Sequence, residues 1–125
     1  MRLVARLDLE AMETSAQRLY VGEVKARVLT GRLDRYRGVV EHFGVAARTR
    51  PHRSASTLLL HVIEGEAVAA DGESRAVLGA GETAVVQAGE WHWRGALPHS
   101  RALLLVIDGG EETHLDVALR DWQQG

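Results

Sequence analysis

The chain has 125 residues, 46% of them apolar, and a formal net charge of −2. That length and apolar content suit one domain with a core of its own, and charges of mixed sign exclude the concentrated basic patch that a nucleic-acid surface needs. Cysteine is absent, which excludes disulfides, thiolate metal sites and a cysteine nucleophile, so the six histidines carry any metal chemistry.

Lys25 is the only lysine, which leaves a phosphate-binding lysine loop or a Schiff base almost no candidate. Arg32, Arg35 and Arg37 cluster, as do Arg48, Arg50 and Arg53; both groups are expected on exposed, solvated segments. The N-terminus is interrupted by charge, and no run approaches the roughly 18 apolar residues of a membrane span. A cytoplasmic protein with neither membrane nor nucleic-acid partner is the expectation.

In chain order, Leu7 to Arg18 is a candidate helix on the periphery, and Val24 to Thr30 and Tyr36 to Phe43 read as early strands. Thr57 to Ile63 is a nearly unbroken apolar run suited to a strand covered on both sides; it is expected to stop at Glu64-Gly65, with Glu66 to Ala70 pairing back. Asp71-Gly72 signals a type I′ hairpin whose second strand is Ser74 to Leu78. Thr83 to Gln87, Trp91 to Gly95 and Arg101 to Asp108 complete roughly eight strands, and Leu115 to Trp122 is a second candidate helix. Many short strands without long helices predict an all-β fold, a two-sheet jelly roll or small barrel whose interior holds side chains or one small ligand.

Two motif regions sharpen this. Gly81, Gly89 and His92 fall in the register of a glycine, five residues, proline, one residue, glycine, two residues, histidine pattern, with Gln87 at the proline and Ala96 at a terminal asparagine. Upstream, counting back from Gly65 puts Leu58 at a glutamate position and His52 and Ser54 at a histidine pair. Tyr20-Val21-Gly22-Glu23, Ala47-Arg48-Thr49-Arg50-Pro51-His52 and Gly89 to Ala96 make three matching segments in the right order. In these features the chain resembles the cupins, specifically the small single-domain, RmlC-like proteins of the cupin-2 conserved barrel type. The resemblance implies a double-stranded β-helix, or jelly-roll barrel, with short peripheral helical segments. It divides the chain into an N-terminal extension with early strands at a dimer interface (1–35), the conserved barrel (36–110) and a helical C-terminal tail (111–125).

Cupins of this kind hold a divalent metal through three histidines and a Glu or Gln. Carried over residue by residue, those positions are His52, Ser54, Leu58 and His92, of which only the two histidines ligate well. Any metal would be a weakly held Fe, Mn, Ni or Zn on His52 and His92, and no cofactor is firmly implied. Arg94 replaces a histidine of the subgroup and, two residues after His92, is expected to share its face. There it would either bind an anion directly or form an internal ion pair, with Glu23 or Glu41 as candidates. His61 is expected on the face opposite Leu58, Leu60 and Val62; His42, His99 and His114 read as surface residues, and Trp91 and Trp93 as interface packing or cavity rim.

Two functional readings follow. In the first, a homodimeric barrel binds a small, anionic molecule in an apolar pocket of Leu58, Leu60 and Val62, with His52, Ser54, His92 and Arg94 at its polar end. In the second, His52 and His92 hold the metal of a dioxygenase, isomerase or decarboxylase acting on a small organic acid. A purely regulatory role would need a partner chain, because no helix-turn-helix segment accompanies the barrel.

Overall fold

A computed structural model describes residues 7–29, 36–109 and 113–115. Its described residues contain strands and turns and no helix. The strands are β1 (Tyr20–Val21), β2 (Val24–Val28), β3 (Arg37–Phe43), β4 (Arg48–Thr49), β5 (His52–Ser54) and β6 (Leu58–Ala70). They continue with β7 (Arg75–Gly79), β8 (Thr83–Val86), β9 (Trp93–Ala96), β10 (Ala102–Asp108) and β11 (Thr113–Leu115). All pairings are antiparallel. One sheet runs β2-β3-β10-β6-β8, the other β1-β4-β9-β6-β7, and β11 pairs with β5.

The expected break at Glu64-Gly65 does not occur. One strand runs continuously from Leu58 to Ala70, pairing with β8 and β10 in its first half and with β7 and β9 in its second. It changes sheets at an irregularity between Leu103 and Leu104 of β10. Even-numbered Leu58, Leu60 and Val62 face the interior before this point, whereas odd-numbered Ala67 and Ala69 do so after it, as an inserted bulge residue requires. Gly65 permits the bend: it has φ of +81°, and a Cβ there would lie 1.9 Å from the Arg101 carbonyl oxygen.

Two other expectations are corrected. Asp71-Gly72 does begin a hairpin, but Ala70 pairs with Arg75, so the connection has four residues, and Gly72 does not take positive φ. Instead Asp71 Oδ1 accepts hydrogen bonds from the Glu73 and Ser74 amides, closing the turn through a side chain and holding the Asp71 carboxyl below its ordinary range. The segment Leu7 to Arg18 is not helical. It makes one tight turn at Asp8 to Met12 and then runs beside β2, where the Ser15 amide donates to the Val24 carbonyl. The open backbone of β2 offers partners that a helix would have forgone. The second candidate helix begins at Leu115, the last residue of β11; its remainder, 116–122, lies outside the described residues.

The core consists of two groups of side chains between the sheets. Val24, Phe43, Val62, Ala67 and Leu104 fill one end, and Val39, Leu58, Leu60, Val86 and Val106 the other. On the outer face Leu59, Ile63 and Val85 are exposed, the alternation a half-buried strand imposes.

Gly65→Ala is expected to destabilise the protein by about 3 kcal/mol or more, since it combines a left-handed Cβ with a backbone clash. Gly72→Ala, whose Cβ meets nothing within 4 Å, is expected to be near neutral. Urea midpoints of the two variants against wild type check the difference.

Candidate functional site

Two backbone features bring the site together. His52 and His92 form a reciprocal antiparallel bridge, each amide donating to the other's carbonyl at 2.9 Å. Directly opposed residues in such a pair project to the same face, and the two imidazoles lie with centroids 4.2 Å apart. Nearby, β4 crosses β9 at Arg48 and Gly95; a Cβ on Gly95 would stand 2.4 Å from the Ala47 carbonyl oxygen. The glycine lets β4 approach closely enough for buried Thr49 Oγ1 to accept the Arg94 amide at 3.0 Å.

Arg94 points inward, on the face of His92, and is buried. Its Nε donates to Glu41 Oε1 at 2.7 Å and its Nη2 to Oε2 at 2.8 Å, a side-on bidentate ion pair with a carboxylate 53 residues away. The other side of the guanidinium turns to the histidines: Nη1 lies 3.0 Å from His52 Nε2 and 3.2 Å from His92 Nε2. A guanidinium has no acceptor, so both imidazoles must accept at Nε2 and carry their proton on Nδ1. Nδ1–H of His52 donates to the Arg50 carbonyl at 2.8 Å, and that of His92 faces the Glu90 carbonyl at 3.4 Å. Tyr20 completes the cluster, its hydroxyl donating to Glu41 Oε2.

The electrostatics follow from this closure. Burial first, then the Arg94 charge, lowers His52 from 6.5 to about 3; burial, His52 and Arg94 together lower His92 to about 2. Burial, then the Glu41 carboxylate, pushes the Tyr20 phenol well above its ordinary value, so it stays a donor. Burial disfavours the charge on Arg94, but Glu41 beside it outweighs that and raises its pKa. The cluster is thus one cation and one anion with three neutral partners. Of the two partners the sequence offered for Arg94, Glu41 is the one it meets. Its paired edge is occupied by that carboxylate and is not presented to an anionic ligand.

A cavity of about 140 Å³ opens above this floor. His52, Ser54, Leu58 and Arg94 of the expected site line it, together with Glu41 and Tyr20. Leu60 and Val62, expected in its wall, are instead closed within the core, because their stretch of β6 is covered by the opposite sheet. His92 meets Arg94 from the far side and borders a separate cleft of about 200 Å³ together with Asp71, Arg75 and Val85. At the mouth Arg37, expected on a solvated segment, pairs with Asp108 at 2.7 Å. Arg53 lies over the Trp91 ring and Arg48 over that of Trp93, which is buried against Val68 and Ala70 on the outside of its sheet. His61 faces away from the cavity and bonds Thr83 Oγ1. Sequence reasoning missed Tyr20, Arg37 and Asp108 as lining groups; Tyr20 does begin one of the quoted motif segments.

The donor set does not fit a divalent metal. Both Nε2 lone pairs are directed at a cationic nitrogen, Leu58 presents no ligand atom, and no group of three His, Asp or Glu among the described residues is placed to hold an ion. His52 and His92, the expected weak ligands, are brought together, but around Arg94.

No family model matches the chain, and no curated protein does. Solved structures do. A cupin-like protein from Thermotoga maritima superposes with a TM-score of 0.80 at 18% identity, covering 87% of this chain and 88% of that one. The polyketide cyclase RemF from Streptomyces resistomycificus gives 0.75 at 17% identity, covering 94% and 88%. A cupin 2 conserved barrel domain protein from Rhodopseudomonas palustris gives 0.71 at 14%, covering 85% and 74%. The fold of this chain is therefore the cupin jelly-roll barrel.

Glu41→Gln strands a buried guanidinium and is expected to cost about 3–5 kcal/mol, whereas Tyr20→Phe removes one hydrogen bond and is expected to cost about 1 kcal/mol. Chemical denaturation of both variants measures this. For pH, the sign comes from the depressed histidines. Above 6.5 both states are neutral; as pH falls from 6.5 toward 3, the unfolded chain takes up protons that the folded one refuses. Stability is expected to fall over that window by up to about 1.4 kcal/mol per pH unit per histidine. Urea titrations between pH 7 and 4.5 read it, and His92→Gln is expected to remove about half of the slope that His52 and His92 contribute together.

Proposed function

We propose that this protein is a binding cupin that takes a small organic acid into the barrel cavity without a metal ion. The observation that carries the reading is the position of Arg94. It satisfies two imidazoles and a carboxylate at once, so the cavity floor is a completed neutral network and not an open coordination sphere.

The cavity's size and lining support the ligand class. A volume of about 140 Å³ is close to the ~150 Å³ that holds a benzene ring, well below drug-sized pockets, so the ligand has roughly six to ten heavy atoms. Its described lining carries the guanidinium groups of Arg27, Arg37 and Arg94 and the carboxylates of Glu41 and Asp108, polar partners for a carboxylic acid. Apolar wall from Val39, Leu58 and Val106 suits a short hydrocarbon or ring. The polyketide cyclase and, at 13% identity, KdgF from Halomonas sp. share the fold but supply no chemistry to this site, since one barrel hosts many unrelated activities. A metal-dependent dioxygenase, isomerase or decarboxylase would require both imidazoles to be released from Arg94, and no observation favours it.

We also propose a homodimer, formed through the outer sheet face where Leu59, Ile63 and Val85 are exposed. Among the described residues no helix is long and apolar enough to cross a membrane.

Thermal melts of wild type with a panel of small carboxylic acids and their amides test the binding reading. A carboxylate at about a hundred times its Kd is expected to raise Tm by roughly 5–10 °C, the amide by less. Leu58→Phe, which fills the cavity, is expected to abolish the shift. No shift with any acid, or the same shift in Leu58→Phe, would overturn the reading.

A further inference from the structure

We infer that an organic acid in this cavity lies with its carboxylate at the mouth, held by Arg37, and with its apolar body turned toward the Arg94 floor, an arrangement that selects monocarboxylic acids. Asp108 is the internal anion that the ligand's carboxylate replaces. This rests on the reading of the cavity as the site of a small organic acid.

The order of groups along one wall carries the inference. On β3, Glu41, Val39 and Arg37 follow one another at a spacing of two, so they share the inward face. Their partners on β10 are Leu104, Val106 and Asp108. Each step of two residues advances about 6.7 Å along the strand. From the floor outward the wall therefore presents Glu41, paired with Arg94, then an apolar rung of Val39 and Val106, then a second ion pair, Arg37 with Asp108. Leu58 packs in the same group as Val39 and Val106 and widens the apolar rung. A carboxylate pushed inward would lose its water against that rung and would meet a guanidinium whose paired edge Glu41 already holds.

The two ion pairs differ in what they can release. The side chains of Arg94 and Glu41 are 6% and 2% exposed, those of Arg37 and Asp108 32% and 17%. Separating the inner pair would strand buried charges, whereas water at the mouth screens the outer pair, so exchanging Asp108 for another carboxylate costs little. The outer contact is also uneven. Arg37 Nε donates to Asp108 Oδ1 at 2.7 Å, but Nη2 lies 3.4 Å from Oδ2, long for a charge-assisted bond. A free carboxylate that takes both nitrogens completes the bidentate contact that Asp108, fixed to its strand, makes only in part. Arg27, the remaining guanidinium of the described lining, stands on β2 out of phase with Ala26 and Val28, which pair with the inward Glu41 and Val39, and it is exposed. Ser54, two residues after the floor residue His52 on β5, also lines the cavity and offers a hydroxyl donor.

The experiment measures binding by calorimetry and thermal melting in wild type, Arg37→Gln and Asp108→Asn, with hexanoate, cyclohexanecarboxylate and benzoate, their amides, and adipate as probes. Arg37→Gln is expected to weaken binding of the monocarboxylates about ten-fold or more and to leave that of the amides within about two-fold. Asp108→Asn, which removes the competing anion and keeps its shape, is expected to tighten monocarboxylate binding about three-fold or more. Adipate, whose second carboxylate would lie on the apolar rung, is expected to bind wild type about ten-fold more weakly than hexanoate. Monocarboxylate binding unchanged in Arg37→Gln, no tightening in Asp108→Asn, or adipate equal to hexanoate overturns the inference; where Leu58→Phe still abolishes that binding, the reading of the cavity stands. No stabilisation of wild type by any acid overturns both.

Discussion

A guanidinium removed from water must recover both a counter-charge and hydrogen bonds, and in this barrel both come from side chains of distant strands. Arg94 on β9 finds its counter-charge on β3, its amide partner on β4, and its remaining acceptors on β5 and on the residue that precedes β9. The ion pair itself is weak evidence of net stability, because desolvating two charges offsets much of their attraction. What it does impose is specificity of arrangement. With Glu41, His52 and His92 all committed to one planar group and Thr49 to the amide of the same residue, the two sheets can approach in only one register at this end of the barrel.

That commitment also decides the chemistry. An imidazole used as a ligand, a base or a nucleophile needs its lone pair or its proton free at the moment of use. Here both lone pairs are taken by Nη1, and both protons lie on the nitrogens turned toward backbone carbonyls. Proton uptake is disfavoured by burial and by the neighbouring cation, which keeps the rings neutral far below their ordinary range. Tyr20 is likewise kept protonated. What such a floor leaves for a small molecule to meet is the shape of the cavity and the polar groups at its margins, where Arg27, Arg37 and Asp108 lie.

The fold positions these groups through two glycines with different tasks. Gly65 allows β6 to bend and bulge so that one strand serves both sheets and the inward-facing parity switches along its length. Gly95 allows β4 to cross β9 without a Cβ between them, which brings Thr49 onto the Arg94 amide and carries the chain on to His52. Neither requirement concerns the chemistry of a ligand. Both are steric, and both lie in the barrel wall, so the site depends on the wall before it depends on its own side chains.

Much of this was legible in the residues. Alternation along a strand has a period of two and is a local property, so the inward face of Leu58, Leu60 and Val62, the outward turn of His61 and the shared face of His92 and Arg94 could all be read from spacing. Motif spacing likewise pointed to the cupin barrel. Spacing says nothing, however, about which strand lies opposite. That Glu41 and not Glu23 receives Arg94, that Tyr20 joins it, that Arg37 and Asp108 close the mouth, and that β6 runs on through Glu64-Gly65 are outcomes of strand pairing and close approach between segments far apart in the chain. The apolar run predicted a turn at Gly65 because a glycine after a glutamate commonly ends a strand; only the carbonyl of Arg101, lying where a side chain would have been, shows that this glycine is there to let a strand pass.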